Sequence, residues 1–466
     1  MYVVTIGSPI VESQGQILFK EFGFSGHKHI SIFSHSQSSD LEQEIEVELV
    51  NLSKVGESPI VIIDFCNWEL QLGTSCPAEM QAQGATDLIP SAMQILNVIK
   101  RNCNARPILL SLRFGERTGL MDRLRSLSDD FGTAIIEMTV NNPGAFAARN
   151  SQLAQEEIRL LNRKIRSEFA ISSLSHPNLR DFQSAKRKAL KLLVDRSDEL
   201  QVKDSFTCGD LTQHFCYQRG EIRHDKPPRL TIFFNGAIDT SIAKGRPVFQ
   251  RTSWWSEIHG SKLSVPDPTL TKDDLLTTGW AQGSDKHWGT AIQAGVSQGV
   301  IEFWRNSEGL SSEEGEIQMY GTSAGGFQAL MAGAFVDPQR VIVNNAQFDW
   351  LKAEGRSAVK KTLDLAYSNR IPGRSIRENW PWKVLVSEFY SRVRFAPPID
   401  YYLNLSSEID RTVQWPAFEK FMFSSLGRKY GNGFNLFAYE DPIRGHNPLG
   451  KELTIQLLNS PIRHLS

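Results

Sequence analysis

Three small residues interrupt an apolar run in the segment QMYGTSAGGFQAL, which spans Gln318–Leu330. Gly321, Ser323 and Gly325 have the spacing G-x-S-x-G. The apolar residues before Gly321 suit a buried strand, and those after Gly325 have helical spacing. A strand that turns sharply into a helix needs small flanking residues and exposes the serine at its apex. The segment therefore predicts a strand–turn–helix unit with Ser323 placed to react, although the serine could also simply cap the helix.

Length and composition restrict the class of protein. A chain of 466 residues exceeds what one hydrophobic core usually holds, so two or more domains are expected. The net charge of −1 gives no global field that would attract nucleic acid or an anionic membrane. No transmembrane segment is predicted, and the opening MYVVTIGSPI lacks the features of a secretory signal. Five cysteines without C-x-x-C spacing favour a reduced, cytoplasmic setting and do not predict a zinc site or other metal site.

Residues 1–222 are predicted to form an N-terminal α/β domain. Apolar, strand-like runs alternate with helical stretches and occur at Tyr2–Ile6, Ile30–Phe33, Ser58–Phe65, Arg106–Leu112 and Thr133–Val140. This alternation favours a parallel sheet, such as a flavodoxin-like one, covered on both faces. The polar, proline-terminated segment Arg219–Pro228 is the predicted boundary.

Residues 228–466 are predicted to form a second α/β domain with a mostly parallel sheet. Its strand-like runs begin in PRLTIFFNGAIDT, EIQMYGTSAGG, QRVIVNNAQ, IDYYLNLSSEID and NLFAYEDPIRGH. Helix-like segments separate each pair of runs, which is typical of parallel pairing.

A serine hydroxyl becomes a good nucleophile when a histidine takes its proton and a carboxylate holds that histidine. In folds with this type of turn the order along the chain is serine, acid, histidine. His446 follows the last strand-like run and is the predicted base. Asp410, after the penultimate run, is the preferred acid, with Glu408 and Asp441 as open alternatives.

The oxyanion that forms when a serine attacks a carbonyl needs two N–H donors. The amide of Ala324, directly after the serine, is one predicted donor. The amides of Gly236 and Ala237, in FFNGAID, are candidates for the second, although the Asn-Gly pair is also a common turn signal.

The stretch MYGTSAGGFQALMAGAFVDPQRVIVNNAQ, together with YYLNLSSEID and GHNPLG, resembles the α/β-hydrolase-fold O-acetyltransferases that modify bacterial capsular polysaccharides. It is less similar to the glycan O-acetylating proteins of accessory secretion systems. The resemblance covers Leu230 to the C-terminus and implies an acyl-serine at Ser323, acetyl-CoA as donor and a glycan or glycoconjugate hydroxyl as acceptor. The family's Gly-x-Asp-like acid turn is replaced here by Ser406–Asp410, which leaves the identity of the acid open.

The segment between Lys352 and Arg394 holds ten basic and four acidic residues, a net charge of +6. We expect a helical cap insert, with Arg374 and Arg377 as candidate binding residues for a phosphate-bearing donor such as acetyl-CoA; a solvated helical face is the alternative. Several tryptophans, from Trp254 to Trp288, precede the predicted serine turn in the sequence. We expect them to pack in the core rather than to stack on sugar rings.

The N-terminal half has a faint similarity to SGNH-type esterases. Ser8 ends a strand-like run, Asn67 lies where those folds keep an oxyanion asparagine, and Asp210–His214 is one residue longer than their D-x-x-H motif. Proline after Ser8 removes a backbone N–H there, so a docking or glycan-binding domain is favoured.

Three functions remain open from the sequence: a serine acyltransferase, an esterase or other hydrolase that uses the same acyl-enzyme, and a non-catalytic protein that binds a glycan or a partner. The sequence does not predict an oligomeric state.

Overall fold

The computed structural model describes five strands and residues 45 and 47 within residues 1–168, and most of residues 176–462. Within the latter range the gaps are 222–224, 311–313, 368–372, 425–426, 428–430 and 432. The chain divides into two compact units, Met1–Glu168 and Phe169–Ser466.

The first unit contains a five-stranded parallel sheet. Its strands are β1 (Tyr2–Gly7), β2 (Gly26–Ser31), β3 (Ile60–Asp64), β4 (Pro107–Arg113) and β5 (Ala134–Thr139). All four pairings are parallel and the order is β2-β1-β3-β4-β5, which is the flavodoxin-like order. Ser8 and Asn67, the residues of the SGNH-like similarity, lie outside the described residues.

The second unit is built on an eight-stranded sheet in the order β13-β12-β11-β10-β8-β9-β7-β6. The strands are β6 (Gln201–Cys208), β7 (Leu211–Gln218), β8 (Arg229–Phe234), β9 (Ser261–Val265), β10 (Glu316–Thr322), β11 (Arg340–Asn344), β12 (Ile399–Asn404) and β13 (Phe434–Tyr439). Each neighbouring pair among β13, β12, β11, β10, β8 and β9 is parallel. By contrast, β7 is antiparallel to both of its neighbours, β9 and β6.

The predicted domain boundary near Arg219–Pro228 is wrong, because β6 and β7 belong to this second sheet. β7 pairs with β9, with Cys216 opposite Ser264. The sequence of β6, QVKDSFTC, is largely polar and half-exposed, as expected of a strand at a sheet edge. The sequence of β6 therefore did not predict that this strand belongs to the second sheet.

In the second unit, helices separate most of the strands. They are α1 (His176–Val194), α2 (Thr240–Ala243), α3 (Gly289–Ser307), α4 (Ala324–Val336), α5 (Arg356–Ala366), α6 (Gly373–Asn379), α7 (Pro381–Val384), α8 (Val386–Val393), α9 (Trp415–Met422) and α10 (Lys451–Asn459). Helices α5 to α8 form the insert between β11 and β12, which is helical as expected. Among the described residues, no helix is both long and apolar enough to cross a membrane.

Side chains on the two faces of the sheet form the core of the second unit. Trp255, Trp280 and Trp288 are each 1% exposed, so the expectation of core packing is confirmed for them. Trp280 stacks on Trp350 with ring centroids 5.3 Å apart. These rings bury large apolar areas and stabilise the region between β9 and the insert.

The parallel register brings the carboxyl ends of six strands to one edge of the sheet. Gly321 of β10 lies opposite Phe234 of β8, and Thr322 lies opposite Asn344 of β11. Asn404 of β12 lies opposite Tyr439 of β13. Loops that leave the strands at this edge therefore converge, as they do at ligand sites in open α/β sheets.

Glycines allow α1 and α3 to approach closely beneath the sheet. A Cβ added to Gly295 would meet the carbonyl oxygen of Phe182, and one added to Gly299 would meet that of Lys186. Both glycines therefore lie where the backbones of the two helices touch, which leaves no room for a side chain.

We expect Gly295→Val to destabilise the protein by about 1–3 kcal/mol, because the added methyl groups must separate two packed backbones. The change should appear as a lower midpoint of thermal or denaturant unfolding. Arg187→Val on the exposed face of α1 is the control and should have a much smaller effect. Equal stability of Gly295→Val and the wild type would contradict this packing.

Candidate active site

Ser323 lies at the turn between β10 and α4 and is half-buried. Its backbone has φ 53° and ψ −120°, a strained conformation for a residue with a side chain. Close packing maintains the turn: a Cβ on Gly325 would lie 2.5 Å from the carbonyl oxygen of Phe234, and one on Gly321 would strike the carbonyl of Gly325. The small residues of the motif are therefore required by the approach of α4 to the ends of β8 and β10.

His446 lies in the turn after β13 and reaches Ser323. Its Nε2 atom is 2.8 Å from Ser323 Oγ, and its Nδ1 atom is 2.7 Å from Asp410 Oδ2. The three predicted residues thus form one continuous hydrogen-bonded chain. The geometry suits transfer of the serine proton to the imidazole.

Asp410 is the acid that faces His446. It begins a single π-helical turn, Asp410–Gln414, and is fully buried. Its Oδ2 atom also accepts a hydrogen bond from Ser407 Oγ at 2.5 Å. Glu408 is exposed. Asp441 instead accepts the backbone N–H groups of Ile443 and Arg444 at 3.2 and 3.0 Å.

Two buried asparagines hold the turn that carries His446, and neither was predicted from the sequence. Asn345 Nδ2 lies 3.4, 3.1 and 3.3 Å from the carbonyl oxygens of Gly445, His446 and Asn447. Asn404 Nδ2 donates to the carbonyls of Asp441 and Gly445, both at 2.8 Å.

These two residues are also linked to each other, through the side chain of Asn345 and the backbone of Asn404. Asn345 Oδ1 accepts the backbone N–H of Asn404 at 2.9 Å, and both residues are 0% exposed. In the sequence, the polar pair that ends the apolar run of VIVNNAQ could have indicated a role for Asn345.

The surroundings of His446 change its pKa in opposite directions. Burial lowers the pKa, but the hydrogen bond and charge of Asp410, with a smaller contribution from Glu354, outweigh burial. The net effect raises the pKa above the ordinary value of 6.5. His446 is therefore a stronger base than a free imidazole.

The predicted oxyanion donors differ in their availability. Ala324 is the first residue of α4, so its N–H has no carbonyl partner within the helix. Gly236 N–H already donates to Gln250 Oε1 at 3.0 Å. Ala237 N–H donates to no acceptor within the described part of the chain, so Ala237 remains as the loop candidate and Gly236 does not.

The two arginines predicted to bind a donor have different environments. Arg377 Nη2 donates to both carboxylate oxygens of Asp349 at 2.7 Å, and Asp349 is 1% exposed. The side chain of Arg374 is 88% exposed and pairs with Glu378 at 2.9 Å. Asp349 therefore neutralises the charge of Arg377, whereas Arg374 faces solvent.

The predicted D-x-x-H-like pair lies on the β6–β7 hairpin of the second unit. Asp210 accepts hydrogen bonds from Lys272 Nζ at 2.7 Å and Ser284 Oγ at 2.8 Å. Burial lowers the pKa of His214. Since the Asp210 carboxylate bonds to Lys272 and Ser284, the pair does not form an acid–base unit. The described residues hold no group of three or more His, Cys, Asp or Glu side chains suited to a metal ion.

The strand order, the strained serine turn and the order of Ser323, Asp410 and His446 along the chain define an α/β-hydrolase-fold protein. No protein-family model matches the chain, and no curated protein matches it in sequence.

Several solved structures resemble part of the chain. The capsule O-acetyltransferase of Neisseria meningitidis serogroup A is 12% identical with a TM-score of 0.37, over 55% of this chain and 94% of that one. An acylaminoacyl peptidase of Pyrococcus horikoshii is 14% identical with a TM-score of 0.36, over 57% and 42%. Est1E of Butyrivibrio proteoclasticus is 13% identical with a TM-score of 0.33, over 55% and 96%.

His446 must be neutral to accept a proton from Ser323, so turnover should fall as pH drops through its pKa. Because that pKa is raised, the acid limb of kcat/KM should lie above pH 6.5. Asp410→Asn removes the raising contribution while burial remains, so the limb should move to lower pH, with turnover reduced by roughly 10³–10⁴. The measurement is the pH profile of p-nitrophenyl acetate hydrolysis.

The exposed Glu408 provides the matched control. Glu408→Gln should leave both the rate and the limb unchanged. A large loss in Glu408→Gln with normal turnover in Asp410→Asn would assign the acid to Glu408 instead.

Proposed function

We propose that this protein is a serine acyltransferase that O-acetylates a glycan or glycoconjugate, with acetyl-CoA as the donor. The observation that carries the proposal is the chain Ser323–His446–Asp410, with contacts of 2.8 and 2.7 Å. The donor and acceptor follow from the resemblance of residues 230–466 to capsule O-acetyltransferases. The positive charge of the insert supports a phosphate-bearing donor.

In the first half-reaction Ser323 Oγ bonds to the acyl carbon while His446 Nε2 takes its proton. The Ala324 N–H and a donor from the 235–237 loop stabilise the negative oxygen of the tetrahedral intermediate. The carbon–sulfur bond of the thioester then breaks, and the leaving sulfur takes the proton from His446. The product is acetyl-Ser323 and a free thiol.

In the second half-reaction a sugar hydroxyl gives its proton to His446 and its oxygen bonds to the acyl carbon. Ser323 Oγ leaves and regains the proton, which restores the enzyme. Asp410 stabilises the imidazolium that forms in each half-reaction.

Hydrolysis is the second candidate, and the exposure of the site favours it. The side chain of His446 is 26% exposed, so water can compete with a sugar hydroxyl for the acyl-enzyme. Comparing product release with and without an added glycan separates the two reactions.

Ser323→Ala should lower turnover by several orders of magnitude without unfolding the protein, because it removes the nucleophile and no buried packing. Intact-mass measurement after incubation with acetyl-CoA should show one added acetyl group in the wild type and none in this variant. Ser307→Ala, which removes a hydroxyl bonded to the Trp304 carbonyl, is the control. Near wild-type activity in folded Ser323→Ala would refute the mechanism, and a protein that never acylates would be a binding protein.

Reversal of an exposed charge tests the donor. Arg374→Glu should raise the KM for acetyl-CoA a few-fold, and added salt should reduce the difference, because solvent screens such contacts. Hydrolysis of uncharged p-nitrophenyl acetate should not change. Arg377→Glu is unsuitable alone, since it places a second negative charge against buried Asp349. An unchanged KM in Arg374→Glu would remove Arg374 from the donor site.

A further inference from the structure

The side chain of Gln250 hydrogen-bonds to two backbone groups of the loop after β8. Gln250 Oε1 accepts the N–H of Gly236 at 3.0 Å, and Gln250 Nε2 donates to the carbonyl of Ala237 at 2.9 Å. The backbone N–H of Gln250 donates to Asn235 Oδ1 at 3.3 Å. The amide of Gln250 therefore brackets the peptide that carries the Ala237 N–H.

Arg251 connects this bracket to the serine turn. Its Nη1 donates to Gln250 Oε1 at 3.3 Å, and its Nη2 donates to Thr322 Oγ1 at 2.9 Å. Thr322 is the residue directly before the nucleophile. The guanidinium also lies over the rings of Tyr320 and Trp254, 5.1 and 5.5 Å from their centroids.

The charge and backbone conformation of Arg251 both bear on its role. Among the described residues its guanidinium forms no ion pair with a carboxylate, and its hydrogen bonds go to the neutral side chains of Gln250 and Thr322. Its backbone has φ 67°, which a residue with a side chain adopts at a cost. A strained, uncompensated cation beside the serine turn suggests a functional constraint.

We propose that Gln250 and Arg251 position the Ala237 N–H as the second oxyanion donor and fix its distance from Ser323. This inference rests on the proposed function. Gln250 holds the loop at two points, and Arg251 ties Gln250 to β10, so the loop and the nucleophile cannot move apart independently. The positive charge of Arg251 also favours the negative oxygen that develops in the transition state.

The chemistry of the bracket requires a primary amide of this length. An amide both accepts from Gly236 and donates to Ala237, whereas a carboxylate cannot donate. Gln250→Glu keeps the acceptor, loses the donor to the Ala237 carbonyl and cancels the charge of Arg251. Gln250→Ala removes both bonds.

The test compares kcat and KM for p-nitrophenyl acetate in Gln250→Ala, Gln250→Glu and the wild type. An oxyanion donor acts in the transition state, so kcat should fall while KM stays within about two-fold. We expect a loss of about 10-fold to 100-fold, below the roughly 10²–10³ for deletion of a donor, because the N–H remains but is misaligned. The affinity of phenylboronic acid, which forms a tetrahedral adduct with the serine, should fall in parallel.

Two further variants separate positioning from stability. Gln298→Ala also removes a glutamine side-chain hydrogen bond, the one of 3.0 Å from Nε2 to the Phe335 carbonyl, and it should leave kcat unchanged. Arg251→Lys keeps the charge without the forked geometry, and Arg251→Met removes both. The order of kcat should therefore be wild type, then Arg251→Lys, then Arg251→Met, each measured on protein shown to be folded.

The outcomes are distinct. Normal Ser323-dependent turnover in the wild type with unchanged kcat in Gln250→Ala and Arg251→Met would overturn this inference alone. A parallel rise of KM without loss of kcat would make the pair a ground-state binding element and would also overturn it. Absence of any Ser323-dependent turnover in the wild type would overturn the proposed function and this inference together.

Discussion

The strained backbone of Ser323 is the constraint on which the site depends. A side-chain-bearing residue at positive φ costs on the order of 1–3 kcal/mol and persists only where its surroundings hold it. Here the N–H of Ser323 donates to the carbonyl of Asn344 at 3.2 Å, and Gly325 packs on the end of β8. The same contacts bring β8 and β11 against the turn. The loops that leave these strands therefore reach Ser323 as a consequence of how its turn is packed.

Side-chain amides, more than ion pairs, fix the loops around this turn. Loops at a strand end expose backbone N–H and C=O groups that must find partners when they are buried. An amide supplies a donor and an acceptor at once, so one residue can hold two points of a loop. Asn345 and Asn404 do this for the turn of His446, and Gln250 does it for the loop at Ala237. Loss of one amide would leave several backbone groups without partners.

Much of the second sheet could be predicted because its central strands are continuous apolar runs. β8, β10, β11 and β12 are almost entirely buried, so their sequences carry a strong local signal. β9, with the sequence SKLSV, is equally buried, but its polar residues do not form the apolar run that would predict a strand. Strands β6 and β7 were assigned to the wrong domain, because they join the sheet through the pairing of β7 with β9, which lies far along the chain.

The triad could be proposed from order along the chain, but its supporting groups could not. The order along the chain indicates which segment carries the serine, which the acid and which the histidine. The choice between Asp410 and Glu408, however, depends on which side chain is buried against His446. The role of Gln250 required knowledge of which loop it meets in space. Likewise, the charge of Arg377 could be counted from the sequence, but its neutralisation by Asp349 could not.

Two buried aspartates in this unit show how one chain uses the same residue differently. Asp349 is held by both oxygens against the Arg377 guanidinium, so its charge is already balanced. Asp410 has no such cation; within the described residues its partners are the Ser407 hydroxyl and the imidazole of His446. A carboxylate whose charge is already balanced by an arginine would stabilise a second positive charge only weakly. Asp410 instead keeps its full attraction for the imidazolium that forms when His446 takes a proton. Its hydrogen bond and unbalanced charge, with a smaller contribution from Glu354, raise the pKa of His446 against the effect of burial.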